Sequence, residues 1–87
     1  MKINIFNSNL INTYKITEVE IYKPNNRGLS WIAANCNAWQ LGGTGSYRCL
    51  EGWVHFDRLP LEIKQEVIKA GDDIACFDLD RWNIEIE

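Results

Sequence analysis

Only one stretch of this chain, about residues 59–70, repeats its apolar side chains at helical steps; elsewhere the repeat is two. This contrast restricts the fold. Short alternating segments with close connections pair as an antiparallel sheet, and one amphipathic helix can cover only one face of it. The expected class is therefore α+β: a small antiparallel sheet of about five or six short strands with one helix, about residues 59–70, packed on one face. At 87 residues the chain is expected to form one domain, 1–87, because each of two cores would be too small to offset chain entropy.

The alternating segments are residues 2–6 (KINIF), 14–22 (YKITEVEIY), 30–40 (SWIAANCNAWQ) and 47–56 (YRCLEGWVHF), followed after the helix by 74–80 (IACFDLD) and 82–87 (WNIEIE). Asn7, Ser8 and Asn9 read as a turn after the first strand. In the second segment Ile16, Glu18, Glu20 and Tyr22 oppose Lys15, Thr17, Val19 and Ile21, and KPNNRG ends it. In the third, Ile32, Ala34, Cys36 and Ala38 oppose Trp31, Ala33, Asn35, Asn37 and Trp39. Three alanines make a helix the competing reading there, but two asparagines and no charge disfavour it. The fourth places Tyr47, Cys49, Glu51, Trp53 and His55 opposite Arg48, Leu50, Gly52, Val54 and Phe56, and forms a hairpin with the third. Within the helical stretch Leu59, Ile63, Val67 and Ala70 share a side, Pro60 suits the first turn and Gly71 the C-terminal stop.

Charge is distributed unevenly. Residues 1–71 carry eight Lys/Arg against six Asp/Glu, whereas residues 72–87 carry one against six, which together give the net −3. The acids of the second part are Asp72, Asp73, Asp78, Asp80, Glu85 and Glu87. A concentrated negative patch is an electrostatic handle for cationic partners and repels phosphate. Scattered Lys15, Lys23, Arg27, Arg48 and Arg58 form no groove, so direct nucleic-acid binding is not expected despite four tryptophans, Trp31, Trp39, Trp53 and Trp82. A Trp among amides and charges instead has the composition of a protein interface, and Trp39 and Trp53 are the candidates.

Catalytic and metal chemistry find little purchase. Cys36, Cys49 and Cys76 are odd in number and widely spaced, which suits reduced, buried thiols of a cytoplasmic protein rather than a disulfide framework. With His55 they are legitimate zinc ligands, but no two form a short knuckle. The same residues offer a Cys/His pair, Cys49 or Cys36 with His55, without a supporting signature. Asp78 and Asp80, if on one strand, share a face about 6.6–7 Å apart and could serve a divalent cation or acid/base work; alternation with Ala75, Phe77 and Leu79 explains them equally as a solvent face. Gly42-Gly43-Thr44-Gly45-Ser46 lacks the lysine and following helix of a phosphate loop and reads as a hairpin connection. No cofactor or metal is expected. Residues 1–14 interleave Asn and Ser where a secretory signal needs an apolar run, and no segment reaches membrane-spanning length.

In size, cysteine usage and acidic patch the chain resembles the small inhibitors that phages and other mobile elements encode against host defence nucleases, anti-CRISPR proteins and DNA-mimic restriction inhibitors among them. The resemblance implies a non-enzymatic, stoichiometric inhibitor whose acidic C-terminal surface meets the basic surface of a protein partner. The alternatives are a small metal-dependent hydrolase using Asp78, Asp80 and His55, and an accessory subunit of a larger oligomer.

Overall fold

A computed structural model describes residues 1–10, 15–37, 42–43 and 45–87, with only the backbone described for 7–10, 46 and 47. Tyr14, Ala38, Trp39, Gln40 and Thr44 of the segments above lie outside the described residues. In chain order the elements are β1 (Lys2–Ile3), β2 (Phe6–Leu10), β3 (Ile16–Ile21), β4 (Leu29–Asn37), β5 (Ser46–His55), a 3-10 turn (Phe56–Arg58), α1 (Leu61–Ala70), β6 (Ala75–Asp78), α2 (Leu79–Trp82) and β7 (Glu85–Ile86). Five strands form one antiparallel sheet in the order β2-β5-β4-β3-β6. β1 and β7 pair separately and parallel, with Lys2 opposite Glu85 and Ile3 opposite Ile86. The α+β class, the antiparallel sheet and the single main helix are as expected.

Strand alternation assigns each side chain to a face. On the core face Val19 lies level with Ala34, Leu50 and Phe77, and Ile21 level with Ile32, Gly52 and Ala75. α1 seals this face with Ile63 and Val67, both fully buried, and Leu59 enters just before it. Ile3, Ile5 and Ile84, from the β1 and β7 strands and their flanks, join the same cluster. Each such Ile, Val or Phe contributes about 1.5–3 kcal/mol by leaving water. α2 adds an edge-on contact, Trp82 against Phe77 at 5.2 Å.

The ends of α1 follow from the sequence. Pro60 stands at the N-cap, and Gly71, at φ 62°, donates its N–H to the carbonyls of Ile68 and Val67, a backbone conformation that side chains disfavour. Between β3 and β4 the Asn25 carboxamide oxygen accepts from Arg27 N (2.9 Å) and Leu29 N (3.0 Å), which pins the turn that KPNNRG signalled.

Two sequence expectations are corrected. Asn7, Ser8 and Asn9 do not turn the chain but lie in β2, an edge strand whose irregular register against β5 tolerates amides that a central strand would not. The strand reading of residues 30–40 holds over the described part, where Leu29–Asn37 is the paired strand β4. Residues 74–80 and 82–87 are not two full strands. The Asp78 carboxylate accepts from Arg81 N at 2.9 Å and caps α2, which ends β6 after four residues and lifts Asp80 out of the sheet.

Truncating a side chain under α1 should therefore destabilise strongly, and truncating its outer face should not. By urea unfolding, Phe77→Ala is expected to cost about 3–5 kcal/mol and Ile68→Ala, 63% exposed, about 0.5 kcal/mol or less. Equal costs would mean that α1 docks through a different face.

Candidate functional site on the open sheet face

The second face of the sheet is covered by no helix or strand among the described residues, and cross-strand register orders its side chains into bands. One band is apolar. Trp31 is directly opposite Trp53, Trp53 opposite Phe6, and Tyr22 donates its backbone N–H to Trp31. The Trp31 and Trp53 rings meet edge-on at 4.9 Å, an arrangement favoured by the ring quadrupoles, and His55 stacks on Phe6 at 4.9 Å. Trp31, Trp53, Phe6 and Tyr22 are all half-buried, so each keeps part of its ring in water.

The neighbouring bands are acidic. Glu18 and Glu20 of β3 lie opposite Asp78 and Cys76 of β6, and Glu20 lies level with Ala33 and Glu51. Asn35 donates to Glu18 Oε1 and Glu20 Oε2, each at 3.2 Å. Arg48 donates Nη2 to Glu20 Oε2 at 2.9 Å and Nη1 to Glu51 Oε1 at 3.2 Å. Of the four carboxylates on this band, Glu20 and Glu51 share the Arg48 guanidinium, Glu18 accepts from Asn35 and Asp78 from Arg81 N, so negative charge exceeds positive among these side chains. Part-exposed pairs of this kind contribute roughly 1 kcal/mol or less, so their main effect is to hold the carboxylates in place. The hydrogen bond that Arg48 donates to Glu20 holds its pKa above the ordinary value, with Glu51 adding to it.

Arg48 reaches this band because of a bulge. Strict alternation would place it with Leu50 on the core face. The register between β4 and β5 slips between Ala34 and Asn35, bringing Arg48 opposite Asn35 and leaving Cys49 as the extra residue. Cys49 turns inward, donates to the Ala34 carbonyl at 3.5 Å and lies beside Cys36; both are buried. This corrects the shared face assigned to Cys49 and His55, since His55 is exposed at the far end of β5 and Cys76 sits on edge strand β6. Burial pushes the Cys49 thiol up to about 11, with the adjacent Cys36 adding to it. Burial first, then the charges of Glu20 and Glu18, raise the Cys76 thiol. Neither is an activated nucleophile, and among the described residues no three His, Cys, Asp or Glu converge as metal ligands.

The acids singled out in the sequence are dispersed. Asp72 and Asp73 follow α1, and Asp72 pairs with Lys23, whose hydrogen bond lowers its pKa. Asp80 projects from α2, Glu85 from β7, and Glu87 pairs with Lys2 at 3.3 Å. Asp78 and Trp53 alone of the candidates reach the open face, and Trp39 lies outside the described residues. Glu18, Glu20 and Glu51 were missed because counting by segment favours the C-terminal end. Alternation carried the signal, since it set the first two with Tyr22 and the third with Trp53. No protein-family model, curated protein or solved structure matches the chain.

Two outcomes follow for the thiols. Alkylation of the folded protein should modify Cys76 first and leave Cys36 and Cys49 unmodified until unfolding, as read by mass spectrometry. Because the folded-state pKa of Cys49 exceeds the unfolded value, the folded chain holds a proton that the unfolded chain loses. Stability should fall as pH rises from about 9.0 towards 11, and Cys49→Ala should flatten that decline. An identical slope in both proteins would contradict the buried placement.

Proposed function

We propose that this chain is a non-enzymatic protein-binding module that seats its open sheet face on a cationic surface of a partner. The observation that carries the reading is the juxtaposition on one uncovered face of an aromatic row, Phe6, Trp53, Trp31 and Tyr22, with four carboxylates, Glu18, Glu20, Glu51 and Asp78, of which Glu20 and Glu51 share Arg48. Half-buried tryptophans supply large contact area at little entropic cost, and the carboxylates select a partner rich in Arg or Lys. The same field repels phosphate, so nucleic acid is not the ligand. A protein occupying a basic groove excludes nucleic acid from it, and on this reading the chain acts as a stoichiometric inhibitor of a nucleic-acid-binding or nuclease machine, as the small anti-defence inhibitors do. Glu18, Glu20 and Glu51, with Asp78, replace the dispersed C-terminal acids as the main contact.

Calorimetric titration with a nona-arginine peptide tests the polarity of the surface. Affinity should fall with added salt, by at least about tenfold (~1.4 kcal/mol) in Glu20→Lys/Glu51→Lys, and by a similar factor in Trp53→Ala. Binding indifferent to both variants would remove the open face as the contact.

A further inference from the structure

At the end of the sheet where β5 runs into the 3-10 turn, a cleft of about 330 Å³ opens between that turn and β1–β2. Its volume is within the range of small-molecule sites, and it is more enclosed than the groove beside α1 formed with Leu61 and Ile68. Its floor is apolar, formed in part by Ile3, Val54 and Leu59, all buried. Its wall carries two cations, Lys2 and Arg58, with the His55 ring beside them, against a single acidic side chain, Glu87. Glu87 is taken up by Lys2 at 3.3 Å, and Arg58 has no hydrogen bond or ion pair among the described residues. In a chain of net charge −3, an unpaired guanidinium over an apolar floor is an arrangement suited to an oxyanion.

We infer that this cleft binds a small organic anion, a phosphomonoester or carboxylate carried on a flat apolar body. The guanidinium fork donates to two oxygens of the anion, and the body rests on Val54 and Leu59 beside the stacked Phe6–His55 pair. The site faces the end of the sheet, carries the opposite charge to the acidic bands and shares only Phe6 with the aromatic row.

Amide chemical shifts of the full chain would be followed during titration with adenosine monophosphate and with benzoate, using adenosine and benzamide as neutral controls. At least one anionic probe should give saturable shifts at Asn4, His55 and Arg58 with Kd about 1 mM or tighter, and its neutral counterpart should bind at least tenfold more weakly. Arg58→Gln, an exposed substitution that leaves the core untouched, should weaken the anion at least tenfold, and Arg58→Lys less. Absence of saturation with both anions, equal binding of the neutral controls, or unchanged affinity in Arg58→Gln would each overturn the assignment.

Discussion

Everything in this molecule depends on the pairing of β4 with both of its neighbours. β4 is the central strand, hydrogen-bonded to β3 on one side and to β5 on the other, and its side chains serve two environments in alternation. Ile32 and Ala34 go under α1, while Trp31, Ala33 and Asn35 go to the other side. Small residues at 33 and 34 let the flanking strands bring their larger side chains across, so that even Ala33, on the uncovered face, is fully buried. A one-residue slip of β4 would exchange the two faces entirely.

The fold separates two roles onto the two sides of the sheet. Burial beneath α1 supplies the driving force, and the opposite face keeps its aromatic rings and carboxylates available because no described element covers it. The bulge at Cys49 links the two sides. It drives one thiol inward beside Cys36 and turns Arg48 outward, where the guanidinium holds Glu20 and Glu51 in position. The parallel β1–β7 pair then brings the two ends of the chain together and places Lys2 beside Glu87.

Local periodicity made most of the sheet legible. Helix α1, its stop at Gly71 and the faces of β3, β4 and the outer half of β5 follow directly from alternation and from helical spacing. What stayed hidden was decided by tertiary context. β2 pairs through its backbone at an edge, which its amide-rich sequence does not advertise. α2 forms because Asp78 caps it, overriding a strand-like alternation. The bulge and the β1–β7 pairing depend on contacts far apart in sequence, which no local pattern encodes. The site followed the same division: Trp53 and Asp78 were legible as candidates, whereas the gathering of Glu18, Glu20, Glu51 and Arg48 required knowledge of which strands are neighbours.

One face of the sheet is sealed and the other stands open in the free protein. Paramagnetic relaxation by a soluble gadolinium chelate measures this directly. Strong relaxation is expected of the Trp31 and Trp53 indole protons and of the Phe6 ring, with the methyls of Val19, Ile21, Ile32 and Leu50 protected. Indoles as well protected as those methyls would show that the second face is covered rather than open.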